Sequence, residues 1–196
     1  AKANKMAAKY LQLEGATGKI FEYSKTPKEG FDEHTSTKGN VSYRKYYNTG
    51  LYGVLQNVSL RDSKLGTQVQ ISVKNNGEFI NLQFPLYSQS GNIDNRYAES
   101  LIRFLPNLKK GEGYRFYPYA MEQEDSKYMK YGVSVIKSPN VEAEEKGDKV
   151  EPFLSYNKEG VGENVIPNLT WKEVAGKNKP SAVSLEAKDE FLFGHI

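Results

Sequence analysis

At 196 residues the chain is long enough for one domain with a buried core plus appended segments, and a tight fit for two large domains. It has no cysteine, which excludes a disulfide framework and a thiolate metal site; no apolar run approaches the roughly 18 residues of a membrane-spanning helix and no signal-like segment opens the chain, so the expectation is a soluble, cytoplasmic protein. The formal charge of +3 hides a division, because residues 38–137 carry 14 basic against 8 acidic side chains whereas residues 138–196 carry 7 against 11. A basic middle suits a polyanionic ligand; an unevenly charged soluble surface accounts for it equally well. Apolar residues are only 38% of the chain, yet 14 Tyr and 9 Phe raise the aromatic fraction to 12%, a surplus that calls for an explanation.

Residues 1–39 read as an N-terminal extension. Two short apolar stretches, Tyr10, Leu11 and Leu13, then Ile20, Phe21 and Tyr23, are separated by EGATG, which suits a hairpin or a helix followed by a strand. Residues 27–39 are polar and turn-rich and read as a loop.

From Leu51 onward strand-length runs alternate with turn signals. Residues 51–62 (LYGVLQNVSLRD) form a first strand with Tyr52, Val54, Val58 and Leu60 on one face, and residues 67–74 (TQVQISVK) a second with Val69, Ile71 and Val73 inward. Asn75-Asn76-Gly77 is a hairpin turn, since Asn and Gly tolerate the positive φ that tight hairpins require. Residues 79–86 make the third strand, its Ile80, Leu82, Phe84 and Leu86 facing one way. A helix is predicted over residues 95–105, where Ala98, Leu101, Ile102 and Leu105 recur at helical spacing before Pro106. The fourth strand (residues 114–121) and fifth strand (residues 128–136) follow, with Pro118 implying an edge or a bulge. Beyond Pro139 the chain is acidic and irregular, with a late strand near residues 169–174.

Three meandering strands, a helix and a two-strand hairpin is the element order of the OB-fold. The expected architecture is therefore mainly β: a five-stranded OB-fold barrel at residues 40–138 with one helix between strands three and four, flanked by the N-terminal extension and an acidic C-terminal segment at residues 139–196. Over residues 51–136 the segments LYGVLQNVSLRDSKLGTQVQISV, NRYAESLIRFLPNLKKG and YRFYPYAM resemble the phage-type single-stranded DNA-binding proteins. The resemblance implies an OB barrel and an acidic tail that recruits replication proteins, here Asp189, Glu190, Phe191 and Phe193; a final packed strand is the alternative for that tail.

Binding a single strand needs cations for the phosphates and flat rings for the unstacked bases. Tyr43, Arg44, Lys45, Tyr46 and Tyr47 interleave the two just before the first barrel strand, Arg115 shares a strand face with Tyr117 and Tyr119, and Lys127, Tyr128 and Lys130 repeat the mixture at the last hairpin. Arg61 and Lys64 lie at the first strand turn, so the four places are expected to converge on one groove. Tyr114, Phe116, Phe84 and Phe104 read as packing residues instead.

Catalytic signatures are lacking: His34 and His195 have no metal-ligand spacing, and no phosphate-binding loop or nucleophile elbow occurs. The expectation is a non-enzyme without metal or cofactor that binds single-stranded DNA, with RNA left open, in replication or recombination, in the bacterial host cytoplasm if viral. The rival reading is an OB-like protein-interaction or virion-assembly module that binds no nucleic acid.

Overall fold

The computed structural model describes residues 8–64, 66–86, 95–167, 171–174, 177–180 and 188. In chain order its strands are β1 (Ala8–Leu13), β2 (Ile20–Ser24), β3 (Asp32–Thr35), β4 (Val41–Tyr47), β5 (Leu51–Ser63), β6 (Gly66–Asn75) and β7 (Glu78–Pro85). The helix α1 (Arg96–Phe104) follows, then β8 (Gly113–Gln123), β9 (Ser126–Lys137), β10 (Trp171–Val174) and β11 (Lys177–Pro180). The first nine strands form one open sheet in the order β3-β4-β2-β1-β7-β6-β5-β8-β9; β10 and β11 pair separately.

Local chemistry explains most of these elements. Asn76 and Gly77 both adopt positive φ, at 50° and 75°, and close the β6–β7 hairpin so that Val73 pairs with Ile80 and Ile71 with Leu82. Asn95 caps α1, its side chain accepting from the amides of Tyr97 and Ala98 at 3.1 Å, and Pro106 enters the short 3-10 turn that ends it. The EGATG segment is a hairpin turn in which Gly18, at φ 73°, donates to the Glu14 carbonyl at 2.9 Å. Residues 27–39, expected to be loop, contribute β3 as well. In β5 the register shifts between Leu55 and Asn57, which flips the inward parity. Leu51 and Leu55 therefore fill the core before the bulge and Val58 and Leu60 pack on it afterwards, whereas Tyr52 and Val54 belong to the opposite face.

The five expected strands and the helix between the third and fourth of them are present, but the five-stranded OB barrel is not. β7, expected to help close a barrel, gives its free edge to β1, which pairs with it in parallel from Ala8 opposite Phe79 to Gln12 opposite Gln83. That pairing extends the sheet into β2, β4 and β3, so residues 8–47 belong to the same sheet as the expected core. On the far side, among the described residues, β9 meets no strand of this sheet beyond β8. Ser100 of α1 instead accepts from the Val133 amide at 2.9 Å and donates to its carbonyl at 3.2 Å. Lower down, the Lys137 amide donates to Asp148 and the Val150 amide to Val135.

Pro118 fits this arrangement although β8 lies between two neighbours. It stands opposite Val133, whose backbone groups face Ser100, so the position without an N–H points away from β9. There β8 pairs with no other described strand, because its pairing with β5 stops at Leu51 opposite Phe116. The core gathers on one face of the curled sheet and beneath α1: Leu11, Ile20, Val69, Ile71, Val73, Leu82, Phe84, Leu101, Ile102, Tyr114, Phe116, Val133 and Val135 are all buried. At roughly 1.5–3 kcal/mol for each fully buried large apolar side chain, this set supplies the main driving force of folding.

Candidate nucleic-acid interface

The unpaired edge of β8 opens a cleft. The curl of the sheet brings the β1–β2 turn against that edge, and a cleft of about 230 Å³ is left between Thr17–Ile20, the end of β4 and Tyr117–Ala120. Gly18 makes the approach possible: a Cβ there would stand 2.9 Å from the backbone of Tyr119. The turn is held from behind by Tyr97, whose hydroxyl donates to the Gly15 carbonyl at 2.8 Å. Burial, assisted by Tyr131 and Glu14, pushes that phenol up to about 12, so it stays a protonated donor at neutral pH.

Tyr47, Tyr117 and Tyr119, from two of the four places singled out in the sequence, line this one cleft, together with Lys19, which was not singled out. Each ring is held in place. The Tyr47 hydroxyl donates to Glu22 at 2.9 Å, and burial and that carboxylate raise its pKa above the usual phenol value. The Arg115 guanidinium lies 5.8 Å from the Tyr117 ring centroid and the Lys146 ammonium 5.6 Å from it. Tyr119 pairs across the strands with Gly132 and lies over it: a Cβ on Gly132 would meet the phenol oxygen at 2.5 Å and Cζ at 2.7 Å. Glycine at 132 is what allows the ring to settle onto β9.

Tyr119 also lines a second hollow, of about 430 Å³, between α1 and β9. Among the described residues its wall carries Arg96, Arg103, Lys130 and Lys188 against one carboxylate, Glu99. Glu99 is 6% exposed, accepts from the Tyr156 hydroxyl and pairs with the Lys188 ammonium at 2.9 Å. Burial and the Glu99 carboxylate drive the Tyr156 phenol well above its ordinary pKa. The helix supplies Arg96, Glu99 and Arg103 at i, i+3 and i+7, one polar stripe opposite Ala98, Leu101 and Ile102. That stripe is legible in the sequence as three charged residues at helical spacing.

The other residues singled out lie elsewhere. Arg44 and Tyr46 turn to the face of β4 opposite Tyr47, where both bind Glu14 at 3.0 and 2.8 Å while the Arg44 guanidinium lies 4.0 Å from the Phe21 centroid. Burial alone would raise the Glu14 carboxyl, but hydrogen bonds from Thr17 and Tyr46 and the charges of Arg44 and Lys19 outweigh it and hold it below its ordinary value of 4.5. Tyr43 stands opposite Ser24 and Glu33, and Lys45 is exposed opposite Glu22 with its ammonium 5.5 Å from the Tyr47 centroid. Arg115 is 2% exposed: it donates to the carbonyls of Thr49 and Glu144 and to the Tyr117 hydroxyl, and lies over Tyr52. An arginine committed in this way holds the fold and steadies Tyr117 through its hydroxyl.

Arg61 and Lys64 are exposed at the β5–β6 tip, and Lys127 and Tyr128 at the β8–β9 tip; none of the four lines either hollow. Lys130 does reach the second one. Asp189, Glu190, Phe191 and Phe193 lie outside the described residues. Among the described residues no three His, Asp or Glu side chains gather as a metal site, and no helix is long and apolar enough to cross a membrane.

Compared with protein-family models, curated proteins and solved structures, the chain matches none.

Proposed function

We propose that the chain binds single-stranded nucleic acid, DNA in the first instance, without catalysis and with little sequence preference, along the cleft of Tyr47, Tyr117 and Tyr119. One observation carries the reading: three tyrosines from strands remote in sequence line one cleft beside Lys19, each ring fixed by a named partner. Fixed rings lose little conformational freedom on binding, and each that stacks a base contributes about 1–3 kcal/mol. Sequence tolerance follows, because every base offers a flat face. Such binding would serve replication or recombination.

The test is a titration of labelled oligo(dT) by anisotropy, with tyrosine fluorescence read in parallel. Binding should quench the tyrosines, and with about four phosphates neutralised log K should fall with log[salt] at a slope near −3. Absence of any binding at low salt refutes the proposal. Met121 and Tyr128, 54% and 66% exposed at the β8–β9 tip, favour the rival reading of a protein-interaction module. A partner retained at high salt, on protein with no excess absorbance at 260 nm, would decide for it.

A further inference from the structure

We infer that the hollow between α1 and β9 is a phosphodiester site, taking the backbone phosphate that adjoins the base lying on Tyr119. The inference rests on the reading of the tyrosine cleft as a single-strand groove and extends that groove across Tyr119 to a defined anion site.

Charge is the first argument. Glu99 is already satisfied by the Tyr156 hydroxyl and the Lys188 ammonium. Among the described residues, Arg96, Arg103 and Lys130 are thus left as uncompensated positive charge around one hollow. Like charges brought together without a counter-ion repel, and an anion between them removes the repulsion. Ser100 is no part of the site, since its hydroxyl is consumed by both backbone groups of Val133.

Preorganisation is the second. Arg103 does not wander: its Nε donates to the Leu154 carbonyl at 3.0 Å, its guanidinium lies 4.6 Å from the Tyr156 centroid, and its own carbonyl accepts from the amides of Phe153 and Leu154. A guanidinium pinned at Nε keeps its terminal nitrogens for a ligand, and its planar fork suits phosphate oxygens. Arg96 and Lys130 are exposed and can close on the same anion from the helix and the strand.

Continuity is the third. Tyr119 lines both hollows, so a strand whose base rests on this ring passes from Lys19 and Tyr117 on one side to Arg96, Arg103 and Lys130 on the other.

The test uses the full chain and oligo(dT) of about 4 to about 16 nucleotides, the span of known single-strand site sizes. Arg96→Ala/Lys130→Ala removes two exposed cations of the site; Lys109→Ala/Lys110→Ala, equally exposed and outside both hollows, controls for net charge. The first pair should make the salt slope shallower by about 0.7, the contribution of the one phosphate that is no longer neutralised. It should also reduce the gain in affinity that wild type shows once the strand is long enough to cross Tyr119. The control pair should do neither. Equal behaviour of the two pairs overturns the inference, and so does inorganic phosphate that binds the hollow without being displaced by oligo(dT), which would make it a free-anion site. If Tyr119→Ala weakens binding while the Arg96/Lys130 pair matches the control, the phosphate site falls and the groove stands. Absence of strand binding by wild type removes both.

Discussion

Gly132→Ala moves Tyr119 without removing it. The new methyl would stand 2.5 Å from the phenol oxygen and 2.7 Å from Cζ, about an ångström inside ordinary van der Waals contact of roughly 3.5–4.0 Å. The phenol is the free end of a side chain, so the ring swings off β9 and the backbone holds. Overpacking costs about 1–3 kcal/mol, partly offset by about 0.5–1 kcal/mol gained on replacing glycine within a strand, and the fold survives. Strand affinity should fall by the stacking contribution of one ring, about 1–3 kcal/mol, or roughly 5-fold to 150-fold. Anisotropy with oligo(dT) on Gly132→Ala, Tyr119→Ala and the double variant measures this as a cycle. Because the phenol is the group the methyl meets most closely, with Ser100 Oγ farther off at 3.2 Å, the double variant should bind no worse than Tyr119→Ala alone. Wild-type affinity in Gly132→Ala, or losses that add in full, would refute the placement of Tyr119 as a base platform.

Arg115→Met should lower stability by about 3 kcal/mol or more in urea denaturation, because the carbonyls of Thr49 and Glu144 and the Tyr117 hydroxyl lose a charged donor; a variant of full stability and reduced strand affinity would mark Arg115 as a phosphate ligand instead. Glu14 titrates lower in the folded chain than in the unfolded one, so its contribution is complete above the ordinary value of 4.5 and is lost as pH falls through the depressed folded value. Melting temperatures followed downward from pH ~6 should drop more steeply for wild type than for Glu14→Gln, and parallel curves would refute the Arg44–Glu14–Tyr46 cluster as a source of acid sensitivity.

What could be read from the sequence was local. Residues 67–74 alternate strictly and stand within one residue of β6 at each end, Asn76-Gly77 closes the hairpin as expected, and the helix falls one residue inside its predicted ends. Pairing between distant segments left no comparable mark. Nothing in Ala8–Leu13 announces that it lies parallel to β7, yet that single pairing turns an expected ring of five strands into an open sheet of nine. The bulge in β5 is equally silent: one extra residue exchanges the faces of Tyr52 and Leu51. For the site, composition marked the interleaved rings and cations but not which of them fold to one place. Tyr and Arg cluster at residues 43–47, but strand parity sends Arg44 and Tyr46 to Glu14 and leaves Tyr47 for the cleft. Arg103 and Tyr156 meet only after folding, which no spacing could have revealed.

The pairing of Ser100 with Val133 bears on how copies of the chain tolerate crowding. An open sheet has two rims, and a bare rim of backbone donors and acceptors recruits a rim from a neighbouring molecule, the first step toward insoluble stacking. Here the β9 rim is blocked at its middle by a helix hydroxyl and at its end by residues 147–150, while the opposite rim, β3, is four residues long and carries Asp32 and Glu33. Copies forced side by side at high concentration should therefore remain separate molecules.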